Sequence, residues 1–315
     1  MKPGAGVKIV EVGPRDGLQN LDVQVPADGK VRLIERLAAS GLREIQIGAF
    51  VRPSAIPQFR DMREVAARVR GISGVTLTAL VPNLQGAEAA FESGIRKLVF
   101  FFSISRSHNL NNVQQTPEAS LEALASIMDV FSARPNVSVC VALATVFGCP
   151  FEGFFPTDAV LRHVAAVADR GVMEVTLCDT VGFGNPAQVA EITRACMAGF
   201  PEVTFGVHLH DTRGLGLVNA LKAYEGGIRV FDAAVGGLGG CPFAPGASGN
   251  IATEDLVFMF GQMGIETGVC LETLLGTARF LQEMLPGTPL PSALFHAGPP
   301  RRVDGEGFPP FGLRP

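Results

Sequence analysis

Apolar segments typical of buried strands alternate with amphipathic helical segments eight times between residues 7 and 262. Such alternation predicts a parallel sheet, because parallel neighbours need a crossover connection that is usually a helix. Eight strand–helix units over roughly 260 residues fit a closed barrel. We therefore predict the α/β class and a (β/α)8 TIM barrel, with strands near residues 7–12, 44–47, 75–81, 98–104, 137–146, 174–177, 203–208 and 229–235.

The main alternative is an open, doubly wound sheet. That fold usually has fewer units, and its dinucleotide site needs G-x-G-x-x-G directly after the first strand. Here the first predicted strand ends at Gly13-Pro14-Arg15-Asp16-Gly17 instead. The sequence therefore favours the closed barrel.

The carboxyl-terminal part of the chain departs from this alternation. A further helix is predicted at residues 271–284, and the segment beyond it carries eight prolines with little periodicity. We predict one barrel domain at residues 1–285 and an irregular, Pro-rich arm at residues 286–315. Phe295, Phe308 and Phe311 indicate that part of this arm packs on a surface or on a partner subunit.

Composition narrows the class of partner. The net charge of −4 and the pI near 5.8 give no electrostatic basis for binding nucleic acid or an anionic membrane. No apolar run reaches transmembrane length, and the first residues lack the apolar region of a signal peptide. The six cysteines are scattered without a C-x-x-C pair, which is typical of reduced thiols. We expect a cytoplasmic protein.

Two histidines end the seventh predicted strand. Residues i and i+2 of a strand point to the same side, so His208 and His210 share one face. Two imidazoles on one face can hold a metal ion, although a solvated or core histidine pair has the same pattern.

Further polar residues follow the other predicted strands. In a barrel of this kind the loops after the strands form one face, which carries the chemistry. Polar side chains from distant parts of the chain are therefore expected at one mouth, which favours the metal interpretation. They are Arg15, Asp16, Gln46, Asn83, Asp179, His208, His210, Cys241 and Asn250.

A ligand set can be chosen from these residues. Asp16, His208, His210 and the side-chain oxygen of Asn250 offer two nitrogens and two oxygens. This set suits Mg²⁺ or Mn²⁺ better than a closed zinc site, while zinc and ferrous iron stay open on ligand type. Asp211 points to the other strand face and is expected to cap a helix or support a ligand.

Two further residues have chemistry to offer. Arg15 adjoins a ligand and could neutralise an oxyanion on a substrate carbonyl, or it could pair with Asp16 or Asp179. The glycine-dense loop at residues 236–242 carries Cys241, which could act as an acid or base on a mobile loop. A lone cysteine is more often a small buried apolar group.

Three stretches together resemble the 3-hydroxy-3-methylglutaryl-CoA lyase family. They are residues 7–20 (VKIVEVGPRDGLQN), 208–212 (HLHDT) and 236–256 (GGLGGCPFAPGASGNIATEDL), and the likeness runs from about residue 7 to 285. The last stretch is the most specific, since a wider superfamily of metal-dependent barrel lyases and Claisen-type synthases shares the Arg-Asp and His-x-His parts but not that loop.

The resemblance implies a Mg²⁺ or Mn²⁺ ion held by Asp16, His208, His210 and Asn250. It implies cleavage of a 3-hydroxyacyl-CoA to acetyl-CoA and a keto acid, with Arg15 stabilising the departing enolate and Cys241 transferring a proton. Gln46 and Asp179 are expected to take part in catalysis. A homodimer is implied by the resemblance alone. The expected substrate-binding residues are Asn20, Asn83, Ala49, Ala142, Thr176 and Gly240.

The sequence also departs from the family pattern in the pocket. Gln46 stands where the family has Glu, and Gln cannot take a proton at neutral pH. Ala49 and Ala142 replace a Ser and a Tyr, and Asp22 stands where the family has a lysine thought to face the CoA phosphates. These changes indicate the same reaction on 3-hydroxy-3-methylglutaryl-CoA or on a C3 variant of it, bulkier or more apolar.

Two other functions remain open at this point. One is a metal-dependent aldolase or Claisen-type synthase acting on a related oxo or hydroxy acid. The other is a catalytically impaired barrel, which Gln46 favours and the retained ligand set and Cys241 disfavour.

Overall fold

The computed structural model of the protein describes residues 6–241 and 244–300, with the backbone alone at residues 241 and 244–248. Eight parallel strands pair in the order of the sequence, and the last pairs with the first, so the sheet closes into a barrel. The predicted fold class is confirmed. The strands are β1 (Lys8–Glu11), β2 (Glu44–Ala49), β3 (Thr76–Val81), β4 (Lys97–Ser103), β5 (Ser138–Ala144), β6 (Glu174–Asp179), β7 (Thr204–Leu209) and β8 (Val230–Ala233).

Helices connect the strands and surround the barrel. They are α1 (Ala27–Ala39), α2 (Met62–Val69), α3 (Leu84–Glu92), α4 (Arg106–Val113), α5 (Pro117–Phe131), α6 (Thr157–Ala168), α7 (Pro186–Gly199), α8 (Gly216–Glu225), α9 (Thr253–Gln262), α10 (Leu271–Met284) and α11 (Ala293–Ala297). None of them, in the part of the chain that the structure describes, is long and apolar enough to cross a membrane.

Strand β4 shows how the barrel wall divides the side chains. Leu98, Phe100 and Phe102 are fully buried in the main hydrophobic core. Val99 and Phe101 alternate with them and line the barrel interior. Since successive strand residues point to opposite faces, a wall covered by helices is apolar on its outside, while its inside is free to carry chemistry.

An ion cluster lies where the strands begin, at the end of the barrel away from the strand-to-helix loops. Lys97 Nζ lies 3.0 Å from Glu44 Oε1 and also contacts Glu174. Glu44 is the first residue of β2, and Glu174 is the first residue of β6. Burial lowers the pKa of Lys97, but the two carboxylates outweigh burial and raise it. The buried charges are therefore paired, as burial requires.

Three elements differ from the sequence-based expectation. Helix α4 was not predicted, because its sequence is mostly polar and shows no apolar stripe; the Ser105 side chain caps it by accepting from the His108 N–H. A two-stranded hairpin, β9 (Gly240–Cys241) and β10 (Ala244–Ser248), follows β8. Helix α11 lies within the predicted irregular arm.

The arm predicted at residues 286–315 has contacts over its described part. Phe295 is half-buried against the main core, and Asp255 of α9 accepts hydrogen bonds from Ser292 and from the first turn of α11. Phe308 and Phe311 lie outside the described residues. The boundary at residue 285 stays a prediction.

Candidate active site

Asp16, His208 and His210 come together at the mouth of the barrel. Asp16 lies in a single π-helical turn (Gly13–Gly17) after β1, and the histidines lie at the end of β7. The Nε2 atoms of the histidines are 3.2 Å apart, and each lies 3.8 Å from Asp16 Oδ2. Among the described residues, these three form the one group of His, Cys, Asp or Glu side chains close enough to share a metal ion.

The charges around Asp16 favour its ionised form. Burial by itself raises the pKa of this carboxyl, but the Arg15 guanidinium and the two histidines outweigh it and hold the pKa well below its usual range. Both histidine side chains are more than nine-tenths buried. An anionic oxygen and two converging imidazole nitrogens fit a divalent cation by donor type.

Asn250, the fourth predicted ligand, lies beside this triad. Its Nδ2 donates to Asp16 Oδ2 at 2.9 Å and to the Leu238 carbonyl at 3.0 Å. Oxygen ligation would require the amide to turn and give up both bonds. Gly239 allows this close packing, because a Cβ there would lie 2.7 Å from Asn250 Nδ2.

Arg15 connects the group of Asp16, His208 and His210 to the wall of the pocket through hydrogen bonds. Its Nε donates to Gln46 Oε1, and its Nη1 pairs with Asp16 Oδ1. Of the two partners considered from the sequence, the structure therefore places Arg15 on Asp16. Gln46 is buried, and its amide oxygen accepts the bond that a carboxylate oxygen would accept in a Glu at this position.

A cavity of about 1030 Å³ opens at this mouth and extends along the barrel axis to the Lys97 cluster. Asp16, His208 and His210 line it together with Arg15 and Gln46. Five of the six predicted substrate-binding residues line it as well, namely Asn20, Asn83, Ala142, Thr176 and Gly240.

Ala49 does not line this cavity in the described structure. It is buried and belongs to the main hydrophobic core. Gln46 faces the cavity, but the pairing of β2 with β3 shifts register between Gln46 and Ala49, so strand alternation from Gln46 does not fix the face to which Ala49 points. Substrate contact at Ala49 stays a prediction.

Asp179, predicted to be catalytic, holds a loop instead of facing the cavity. Its carboxylate accepts from the backbone N–H of Phe183 at 2.9 Å and of Gly184 at 3.1 Å. It is fully buried, and burial raises its pKa. These bonds fix the loop after β6, whose neighbours Cys178 and Thr180 do line the cavity.

Cys241 belongs to β9, directly after the cavity-lining Gly240. Its side chain lies outside the described structure. The predicted role in proton transfer stays a prediction. Asp211, which the sequence placed on the other strand face, accepts from the N–H of Gly216, the first residue of α8, at 2.7 Å.

One wall of the cavity beside the triad is apolar. Val99, Cys140, Ala142 and Cys178 form a small buried cluster with Phe101 packed against it, and all five line the cavity. Cys178 lies opposite His208 in the pairing of β6 with β7. An acyl group held at the triad would therefore meet an apolar surface.

Asp232 was missed by the sequence reasoning. Its Oδ2 lies 3.2 Å from His208 Nδ1, and the two residues are partners in the β7–β8 register. The available signal was a carboxylate within the otherwise apolar stretch at residues 230–235, in the predicted strand next to the one that carries the histidines. A carboxylate behind a ligating histidine fixes the tautomer that presents Nε2 to a metal.

Glu11 was also missed, and it joins two loops of the mouth. Its Oε1 accepts from the N–H of Gly13 at 2.7 Å and of Val235 at 3.0 Å, and its Oε2 bonds Thr253 Oγ1 at 2.7 Å. Burial raises its pKa to about 8. The loop that carries Asp16 and the loop that leads to Cys241 are thus held by one buried carboxyl group.

The sequence of the chain is similar to that of a known family and of several characterised proteins. The HMGL-like family matches residues 6–281. The chain is 45% identical over 286 residues to hydroxymethylglutaryl-CoA lyase YngG of Bacillus subtilis, covering 91% of this chain and 95% of that protein. It is 41% identical over 304 residues to (R)-citramalyl-CoA lyase of Chloroflexus aurantiacus, covering 93% and 95%.

A solved structure agrees over nearly the whole chain. An HMG-CoA lyase from Acinetobacter baumannii in complex with coenzyme A and 3-methylmalate superimposes with a TM-score of 0.87 at 42% identity. The match covers 96% of this chain and 98% of that chain.

Proposed function

This chain belongs to the HMGL-like family, and on that premise we propose that it is a divalent-metal-dependent carbon–carbon lyase acting on a 3-hydroxyacyl-CoA. The products are acetyl-CoA and a keto acid. The observation that carries the proposal is the group of the partly buried Asp16 and the buried His208 and His210, with Arg15 beside it, inside a cavity large enough for a thioester.

The proposed metal is Mg²⁺ or Mn²⁺, held by Asp16, His208 and His210, with Asn250 as a fourth ligand once its amide has turned. When bound there, the ion supplies Lewis-acid chemistry that lowers the pKa of the substrate hydroxyl. Asp232 contributes by keeping a proton on His208 Nδ1. Nε2 is then deprotonated, and its lone pair is free to bind the metal.

The proposed reaction breaks the C2–C3 bond of the substrate. The C3 hydroxyl gives its proton to solvent at the open mouth of the cavity and becomes the carbonyl of the keto acid, while the electron pair of the broken bond moves onto the thioester as an enolate. Arg15 has five N–H donors, and the bonds to Gln46 and Asp16 use two of them, which leaves others for the enolate oxygen.

A proton delivered to C2 then gives acetyl-CoA. We assign that delivery to the Cys241 thiol, on the ground of the family resemblance of its loop. Gln46 has no proton to exchange at neutral pH. Its proposed role is to orient Arg15.

The apolar wall supports a substrate whose C3 substituent is apolar. Val99, Ala142 and Cys178 offer no hydrogen bond of the strength that a hydroxyl or carboxylate group requires. A methyl group or a longer alkyl group at C3 fits this surface. The candidate substrates are therefore 3-hydroxy-3-methylglutaryl-CoA, citramalyl-CoA and C3-alkyl homologues.

A substrate panel tests the proposal. The purified protein, supplied with Mg²⁺ or Mn²⁺, is given these thioesters alongside hydroxy-keto acids that lack CoA. Release of acetyl-CoA from one or more thioesters supports the lyase. Cleavage of the hydroxy-keto acids alone, or condensation alone, would instead support an aldolase or a Claisen-type synthase.

The expected homodimer and cytoplasmic location form part of the same proposal. Light scattering of the eluting protein would report the mass of the assembly, with two chains expected. Fractionation of the source cells would report the location.

A further inference from the structure

The carboxylates that line the cavity and its exposed arginines lie at different depths. Its four carboxylates belong to residues inside the barrel, namely Asp16, Glu44, Glu174 and Asp232. The segment between β2 and α2, together with the first turn of α2, adds three exposed arginines at the outer rim, Arg52, Arg60 and Arg63. No carboxylate from that segment lines the cavity in the described structure.

These arginines keep most of their charge available. Asp61, the acid between Arg60 and Arg63, is paired with the buried Lys30 at 2.6 Å. Among the described residues, Arg63 pairs with Glu92 alone, at 3.4 Å, and both side chains are about two-thirds exposed, a kind of pair that contributes little. Arg52 and Arg60 have no ion pair within the described part of the chain.

The start of helix α2 adds to the positive potential at this rim. The Asp61 side chain makes no capping bond to the helix, and Met62 and Arg63 of its first turn line the cavity. The uncompensated N–H groups of a helix start carry a partial positive charge. Guanidinium groups and such N–H groups are common donors to phosphate oxygens.

We propose that Arg52, Arg60 and Arg63 bind the phosphate groups of the CoA part of the substrate. This inference rests on the proposed function for the identity of the thioester. With the acyl end at His208 and His210, the nucleotide end must remain near the opening of the cavity.

The test compares two thioesters of the same acyl group, one of CoA and one of N-acetylcysteamine, which has no phosphate. Arg52→Ala and Arg60→Ala are expected to raise KM for the CoA thioester about tenfold each, the size expected for one charge-assisted hydrogen bond, with kcat unchanged. Neither constant should change for the truncated thioester. Arg162→Ala, which removes an exposed arginine of α6 paired with Asp158, serves as the matched control.

Two results would overturn the inference. Equal losses on both thioesters would mean that the arginines hold the acyl group, and unchanged KM for the CoA thioester would mean that they hold no phosphate. Binding of free CoA and of pantetheine, followed by calorimetry, tests the inference without turnover. If the variants bind CoA more weakly but bind pantetheine as before, the phosphate site is supported even if the tested thioesters are not cleaved. Unchanged CoA binding overturns the inference.

Discussion

The Nε2 atoms of His208 and His210 face each other at 3.2 Å, and the Asp16 carboxylate lies 3.8 Å from both. Alternation along β7 puts both rings on the inner face of the barrel. The closure of the barrel brings Asp16, nearly two hundred residues earlier in the chain, to the same point. Two imidazoles that converge on one carboxylate make a site for a cation.

We predict that the protein binds one divalent ion per chain and that Asp16→Ala or His208→Ala abolishes this binding. Each substitution removes one of the three donors that converge on the ion, and the other two cannot hold it even with Asn250 as an additional ligand. Titration calorimetry with Mn²⁺ measures the affinity. His163→Ala, on α6 and outside the cavity, is the control and should bind as the unaltered protein does. Unchanged affinity in the first two variants would refute the ligand assignment.

Asp232→Asn should weaken metal binding by about tenfold to a hundredfold, the usual cost of losing a carboxylate behind a ligating histidine. The amide can still bond His208 Nδ1, but it no longer enforces one tautomer. The folded structure should keep its unfolding temperature within a few degrees. Metal affinity equal to that of the unaltered protein would show that Asp232 has no influence on His208.

Gln46→Glu is predicted to raise kcat on 3-hydroxy-3-methylglutaryl-CoA. The new carboxylate would pair with Arg15 and restore a group that can take a proton beside the substrate. Steady-state kinetics on this thioester and on a C3-alkyl homologue measure the effect. A loss of activity on both substrates would mean that Gln46 belongs to a different chemistry.

The buried Glu11 predicts a pH dependence of stability. Its pKa is raised by burial from 4.5 to about 8, so between these values the folded protein binds more protons than the unfolded chain. This contribution to the free energy of unfolding is complete below pH 4.5 and is lost as the pH rises through 8. Glu254, with its pKa raised by burial to about 7, acts in the same direction.

Glu11→Gln should therefore reduce the loss of stability between pH 6 and pH 9, because an amide can keep the same hydrogen bonds without a charge. Urea unfolding at the two pH values measures this, and Glu88→Gln, an exposed residue of α3, is the control. Glu11→Ala should destabilise the protein at both pH values by about 2–4 kcal/mol, since two backbone N–H groups lose their partner. An identical pH dependence in the unaltered and Glu11→Gln proteins would count against this account.

The fold was predictable because eight largely apolar strand segments alternate with periodic helices. Helix α4 escaped prediction because capping by Ser105, and not an apolar stripe, marks its start. The grouping of Asp16, His208 and His210 was predictable from strand alternation between the two histidines and from the position of Asp16 in the loop after the first strand. In contrast, position at a strand end could not show that the Asp179 carboxylate turns back onto backbone N–H groups.

Contacts across the barrel were beyond the reach of the sequence for a physical reason. Asp232 acts on a residue of the neighbouring strand, and Glu11 acts on a loop more than two hundred residues away. Register and tertiary packing decide both relationships. Ala49 is a further case, because the register shift between it and Gln46 interrupts the strand alternation on which a placement from sequence depends.

Metal-dependent release of acetyl-CoA tests the central claim most directly. The protein is stripped with a chelator, offered 3-hydroxy-3-methylglutaryl-CoA and its C3 variants, and then supplied with Mg²⁺ or Mn²⁺. We predict no release from the stripped protein or from His208→Ala at any metal concentration. The reloaded, unaltered protein should release one acetyl-CoA for each keto acid formed. Equal release with and without the metal, or by His208→Ala, would contradict the account.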